Sequence, residues 1–382
     1  MYSLGAYGTM IADRVRMEAY AEALRKTVHK GSVVVEIGTG PGIFAVLACQ
    51  LGASRVYAIE PAEIIQVARE IAAANNCANK IEFFEEVSNR VNLPPQGDVI
   101  LSDLRGILPL FQRHIPAIVD ARRRFLTPGG TMIPRRDTVW AAIVAAPKPY
   151  GEVVDPWDKN PLGQDLSPAR LLAMNDVQKA RVSPDQLLSG HRIWTELDYR
   201  IVENSDVEAS LEWTVERAGI GHGIVVWFDA DLAEGVGFSN APGTPETVYG
   251  SLFFPWTQPV ALAKGQAVCV SLGAKLVESD YLWRWTTSIE PLNGSETCGI
   301  HFEQSQLNGT VLSAAKLHKT AADYVPVLSE EGRLRLRTFE LMDGRASLEE
   351  IARRLAQEFP SRFAGWQQAL TYAGAVSQEN TK

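Results

Sequence analysis

Three glycines stand at alternate positions, Gly38, Gly40 and Gly42, directly after the apolar run Val33–Ile37. An apolar run of that length reads as a buried strand, and residues 42–52, from the last glycine on, read as a helix. Glycine lets the backbone turn sharply there and approach a ligand closely, because no Cβ intervenes. The pattern then repeats. Strand-like runs 55–60, 80–84 and 98–103 are separated by a helical stretch, 61–76, and by polar turns. Near-continuous apolar strands that alternate with helices predict a parallel sheet covered on both faces. A helix predicted over about 11–28 precedes them, and 122–134 closes this part with a turn and a short strand.

The glycine spacing is G-x-G-x-G, which is not the spacing of a dinucleotide fingerprint, and no Lys-Ser or Lys-Thr follows as in a P-loop. Glu36 sits at the end of the strand. A pyrophosphate would be repelled by it, whereas a sulfonium or ammonium group would not. S-adenosylmethionine is cationic at both, so it suits this loop better than NAD. The loop residues Gly38, Thr39, Gly40, Gly42 and Ile43 are therefore assigned to the cofactor with Glu36. Glu60 ends the second strand, followed by Pro61, where a carboxylate can accept from both ribose hydroxyls. A dinucleotide site and a ligand-free tight turn are the other readings.

From Thr138 the pattern becomes alternating. Short β-like runs at 138–144, 196–202, 209–215, 223–232, 259–262, 267–276 and 281–289, divided by Gly, Pro and Asn turns, predict an antiparallel barrel or sandwich. Residues 155–190 interrupt it with a helical, exposed arm; a connection of that length is functional or joins subunits. Near the C-terminus, Ser347 and Glu350 form a capping box, and Leu348, Ile351 and Leu355 make one apolar helical stripe. The fold class is thus α/β plus β. Residues 1–136 form a Rossmann-like domain, 137–320 a β-barrel with the inserted arm, and 325–382 a small helical module. A chain of 382 residues is long enough for that division.

The net charge of −8 argues against nucleic acid as the partner. No run approaches the roughly 18 apolar residues of a membrane helix, so no membrane partner is expected. Cys49, Cys77, Cys269 and Cys298 are scattered, which predicts a reduced, cytoplasmic protein. The histidines show no metal-ligand spacing, and no metal is assigned.

Over about residues 5–290 these motifs resemble the protein arginine methyltransferases, a class I family that uses S-adenosylmethionine and releases S-adenosylhomocysteine. The carriers are YGTMIADRVRMEAY (7–20), VVVEIGTGPGI (33–43), VYAIEP (56–61), FLTPGGTMIP (125–134) and FSNAPGTPETVYGSLFFPWTQPV (238–260). The resemblance implies that Met10 lines the cofactor and Arg16 pairs with its carboxylate. It places Ser88 or Asn89 at the adenine, and Ser102 beside the cofactor. It implies a homodimer through the arm at 155–190.

In that family two glutamates in the loop after the fourth strand grip a guanidinium. Here the loop is SDLRGILPLFQRH, 102–114, with Asp103 and Gln112 at the two positions and Arg105 between them. One carboxylate beside an arginine is a poor cage for a guanidinium. The expected reaction is therefore N-methylation of an amino acid, peptide or small amine. O-methylation of a small molecule, protein arginine methylation and an impaired cofactor-binding, peptide-recruiting protein are the alternatives. Asp103 would orient the nucleophile or take its proton, Gln112 would orient it, and Arg105 would either pair with Asp103 or meet a substrate carboxylate. His114 reads as a cofactor contact, a base or a packing residue. Trp256 reads as a wall of the substrate pocket or as core. The last module resembles PqqD-like winged-helix domains, which bind precursor peptides in natural-product biosynthesis, and this implies peptide binding there.

Overall fold

The structure, a computed structural model, describes residues 2–93, 97–291 and 299–381. Cys298 lies outside the described residues, while Cys49, Cys77 and Cys269 are free. The chain divides into two compact units, Met1–Thr310 and Val311–Lys382.

The first unit opens with two helices, α1 (Leu4–Ala12) and α2 (Arg14–Thr27), where the sequence predicts one. The break is Asp13. Its side chain accepts from the Arg16 backbone N–H at 3.1 Å, so this short acid caps a new helix instead of continuing the old one. The Rossmann-like layer follows: β1 (Val33–Ile37), α3 (Ile43–Gln50), β2 (Arg55–Ile59), α4 (Ile65–Ala74), β3 (Ile81–Phe84), β4 (Gly97–Ser102), α5 (His114–Phe125) and β5 (Leu126–Ile133). The strands form one parallel sheet in the order β3-β2-β1-β4-β5. Their apolar runs are buried on both faces, and Val34, Val35 and Ile100 have no exposed surface. The glycine turn between β1 and α3 therefore lies at the carboxyl end of the central strand, where open α/β sheets bind ligands.

The barrel domain consists of β6 (Arg136–Val144), helices α6 (Pro147–Asp158) and α7 (Ser167–Ala173), then β7 (Gln178–Ala180), β8 (Arg192–Asp198), β9 (Val207–Thr214), β10 (Gly219–Ala233), β11 (Val236–Ser239), β12 (Ser251–Leu262), β13 (Ala267–Val277), β14 (Asp280–Ile289), β15 (Ile300–Ser305) and the single turn α8 (Gln306–Gly309). One antiparallel sheet runs β7-β12-β10-β6-β8, with β11 on β10; the other runs β15-β14-β13-β9. Three expectations are corrected. Residues 259–262 are the end of a longer strand that passes through Pro255 and Pro259, and its pairing with β10 shifts register between Gly221 and Gly223. The strand expected at 196–202 begins at Arg192 and ends at Asp198, whose carboxylate accepts from the Arg200 N–H and turns the chain. The arm holds its α-helices before Met174 and only one short 3-10 turn, Pro184–Gln186, after it. It begins at Pro147, and residues 178–180 add a strand to β12.

The arm covers the outer face of the larger sheet. Tyr150, Val154 and Met174 pack with Val225, Trp227 and Phe253 in a small core separate from the main one.

The second unit contains α9 (Ala314–His318), α10 (Glu330–Leu341), α11 (Leu348–Glu358) and α12 (Trp366–Asn380). Leu334, Leu341, Ile351, Leu355, Ala369 and Ala373 form its own core. The capping box at Ser347 and Glu350 is present. Among the described residues this unit has no strand, so a winged-helix wing is not seen there. The unit begins at Val311, ahead of the predicted 325, because α9 belongs to it, while β15 and α8 belong to the first unit. No described helix is long and apolar enough to cross a membrane.

Candidate active site

Gly38, Gly40 and Gly42 all have positive φ, 74°, 51° and 79°, which L side chains adopt at a cost. A Cβ on Gly40 would stand 2.9 Å from the ring of Tyr7, and one on Gly42 2.9 Å from the Ala68 Cβ. The turn is thus pressed between α1 on one side and α4 on the other, and only glycine fits. Thr39 lies beneath it and donates to Glu36 at 2.6 Å. Glu36 is buried, and burial pushes its carboxyl up to about 8. No cationic side chain touches it. Glu60 accepts from the Gly40 and Ala62 N–H groups, each at 3.0 Å, and burial raises its pKa too. Each of its oxygens keeps a lone pair. Ile43 begins α3 and is half-buried, whereas Pro61 is exposed.

Two buried carboxylates without a cation, beside a turn only glycine can make, fit a cationic nucleoside. The Ser102 hydroxyl, buried at the end of β4, has no hydrogen-bond partner either. Met10 lies at the end of α1, half-buried, and its carbonyl accepts from Arg16 Nη1 at 3.2 Å. Ser88 is buried, with its carbonyl held by Arg124, while Asn89 is exposed.

Asp103 follows Ser102 at the end of β4. It receives Arg16 Nε at 2.6 Å, Arg105 Nη1 at 3.1 Å and the Tyr249 hydroxyl at 2.8 Å. Burial pushes its carboxyl up, but the Arg16 and Arg105 guanidiniums outweigh this and hold it below the usual carboxylate range. Arg16 thus reaches the loop from α2, and Tyr249 from the barrel segment before β12.

Arg105 does not face a substrate. Its side chain is fully buried, and its Nε and Nη2 pair with both oxygens of Asp137, at 2.8 and 2.7 Å. Nη1 also donates to the Tyr20 hydroxyl at 2.5 Å. The expectation that it might meet a substrate carboxylate is corrected: Asp137, at the start of β6, takes the fork first. Asp137 in turn accepts from the Tyr199 hydroxyl at 2.5 Å, and Tyr199 meets His114 Nε2 at 3.1 Å. Since the one Tyr199 proton goes to Asp137, His114 must donate from Nε2, which leaves Nδ1 bare and unpartnered. His114 is buried and burial lowers its pKa to about 3. It therefore belongs to this internal network as a neutral packing residue.

Two further expectations change. Gln112 is exposed, with φ 43°, and its backbone N–H points to Asp280 at 3.4 Å. It does not join Asp103. Trp256 is completely buried in the barrel; its indole N–H donates to Thr287 at 3.0 Å and its ring packs near Phe302. It is core, because the alternation of β12 turns it inward. Sequence reasoning missed Tyr7, Tyr20, Asp137, Tyr199 and Tyr249. Tyr7, Tyr20 and Tyr249 lie inside the motifs at 7–20 and 238–260, but nothing local marked them as neighbours of the glycine turn or of Asp103.

Residues 18–142 match the family described as ribosomal protein L11 methyltransferase (PrmA), and residues 135–281 match the arginine methyltransferase oligomerization subdomain. These two matches meet where the Rossmann-like layer passes into the barrel. The chain is arginine-methyltransferase-like. A probable protein arginine N-methyltransferase 6 of Arabidopsis thaliana is 30% identical over 257 residues, which cover 65% of this chain and 59% of that protein. The arginine-methyltransferase-like chain thus spans less than two thirds of that relative. A protein arginine N-methyltransferase 6 of Xenopus tropicalis is 29% identical, over 62% of this chain and 74% of that one. Among solved structures, Arabidopsis thaliana protein arginine methyltransferase 10 superposes with a TM-score of 0.69 at 23% identity, covering 80% of this chain and 98% of that one. The Trypanosoma brucei PRMT1 enzyme-prozyme complex with AdoHcy gives 0.72 at 18% identity, covering 79% and 98%. These two likenesses are of fold. The two family matches end at residue 281, and the helical module lies beyond both.

Proposed function

We propose that this protein is an S-adenosylmethionine-dependent methyltransferase that methylates a nitrogen of a protein arginine. The observation that carries the reading is the pairing of Arg105 with Asp137. The sequence set protein arginine below a small amine because the loop offers one carboxylate, Asp103, in place of two, with Arg105 beside it. With Arg105 paired to Asp137, the part of that objection that rests on Arg105 loses its force. The names of the relatives, protein arginine N-methyltransferases, support the same direction.

Bound S-adenosylmethionine supplies a methyl group activated by its sulfonium. Glu36, Glu60, Arg16, Met10 and the glycine turn would hold it, and Ser102 lies beside them. Asp103 holds the nucleophile. Its lowered pKa suits it to grip a cationic or N–H-bearing side chain, and makes it a weak acceptor of the departing proton. Alignment of the nucleophile with the methyl group is then the main source of rate.

A second reading keeps a primary amine, of a peptide or amino acid, as the nucleophile. It is favoured by the loop 102–114 carrying Asp103 as its only acid, with Gln112 exposed and not joined to it. The arm is proposed to join two copies, since Leu162 and Leu171 on it are 78% and 62% exposed. Recruitment of a peptide by the helical module remains part of the proposal, supported by its exposed Leu336 and Phe339.

The test is methyl transfer from labelled cofactor to arginine-rich and lysine-rich peptides and to free amines. Transfer to arginine that falls about a hundredfold or more in Asp103→Asn supports the first reading. Transfer confined to amines selects the second. Failure to bind S-adenosylhomocysteine would overturn both.

A further inference from the structure

We propose that Asp137 is a positioning residue of the methyl-transfer site, which cancels the charge of Arg105 so that Asp103 can bind a cationic side chain. The inference rests on the function proposed above, and it assigns the substrate charge class to a residue of the barrel.

The chemistry is in the count of charges around one carboxylate. Asp103 faces two guanidiniums, Arg16 at 2.6 Å and Arg105 at 3.1 Å. Two cations on one anion leave a positive cluster, which repels a third cation. Asp137 restores the balance. It meets Arg105 through two parallel N–H···O bonds, and neither side chain has any exposed surface. Water therefore screens this pair little, and each partner carries its charge undiluted. The paired cluster of Arg16, Arg105, Asp103 and Asp137 is neutral. Were Arg16 to pair with a cofactor carboxylate, as the resemblance implies, Asp103 would be left with its charge unspent. Tyr199 completes the arrangement by donating to Asp137 at 2.5 Å, and the Arg105 plane also lies 5.4 Å from the centre of Phe228. Asp137, Tyr199 and Phe228 all come from the barrel. The charge on a loop of the Rossmann-like layer is thus set from the neighbouring domain.

The experiment uses the full chain saturated with S-adenosylhomocysteine. Its affinity is measured for a peptide containing one arginine and for the same peptide with citrulline, a neutral shape mimic. The wild type is expected to prefer arginine. Asp137→Asn, which keeps shape but not charge, should lose about tenfold or more of that preference while S-adenosylhomocysteine affinity stays within about twofold. A double variant, Arg105→Met with Asp137→Ala, guards against simple misfolding. It removes both charges together and should recover the preference. An Asp137→Asn protein that still prefers arginine as the wild type does would overturn the inference alone, as would a double variant no better than the single one. A wild type that binds S-adenosylhomocysteine but shows no preference for arginine would overturn the inference together with the arginine reading.

Discussion

Arg105 lies fork to fork against Asp137, with Nε 2.8 Å from one carboxylate oxygen and Nη2 2.7 Å from the other. These residues stand on β6 and on the loop after β4, so the contact ties the barrel to the candidate active site. Tyr20, Tyr199 and Asp103 take up the remaining hydrogen-bonding positions around it.

Breaking this pair from one side leaves a buried charge. Arg105→Ala should destabilise the protein by about 3–5 kcal/mol, because Asp137 is then an anion with only the Tyr199 hydroxyl. Replacing both, Arg105→Met with Asp137→Leu, should cost far less. Urea denaturation followed by tryptophan fluorescence checks this. Equal losses in the two proteins would show that packing, not charge, governs the site.

Glu36 gives a pH dependence. Its folded pKa, about 8, lies above the ordinary 4.5. In the unliganded protein its contribution to stability is therefore complete below pH 4.5 and is lost as pH rises through about 8. A cationic cofactor favours the ionised form, so binding below that pH releases a proton. Affinity for S-adenosylmethionine should rise between pH 6 and 8, by at most about tenfold per pH unit. Calorimetry of Glu36→Gln should show weaker binding with most of the slope gone. An unchanged slope would place the proton elsewhere.

His114 acts in the opposite sense. Its folded pKa is about 3, below the ordinary 6.5. The native state binds fewer protons, so this stability is complete above pH 6.5 and is lost as pH falls towards 3. The loss is at most about 1.4 kcal/mol per pH unit. His114→Asn keeps an N–H donor for Tyr199 but cannot be protonated in this range. It should lose less stability than the wild type between pH 7 and pH 5, read from the shift in urea midpoint. Parallel losses would free His114 from any part in acid sensitivity.

The arm offers an assembly test. Leu162→Asp with Leu171→Asp places charge on its exposed apolar positions, where little intramolecular packing is lost. Sedimentation should give a dimer for the wild type and a monomer for this variant, with circular dichroism unchanged. A monomeric wild type at micromolar concentration would end the homodimer proposal.

The parallel sheet, the glycine turn and the acids at its edge were legible because each depends on neighbours along the chain. An apolar strand, three glycines and a carboxylate at the strand end state their geometry within about ten residues. The capping box of α11 was legible for the same reason. The break at Asp13 was not, since an acid inside a helical pattern is read as surface until its side chain is seen to cap.

Sequence by itself determined the layered order, the glycine turn and the two carboxylates beside it. Only the tertiary structure decided what Arg105, His114, Gln112 and Trp256 do. Arg105 and Asp137 are 32 residues apart, and Tyr249 is 146 residues from Asp103. A charge is a property of one residue, but its effect belongs to whichever residue is folded against it. Where burial removes water, that partner decides whether a neighbouring arginine blocks a substrate or is itself held silent.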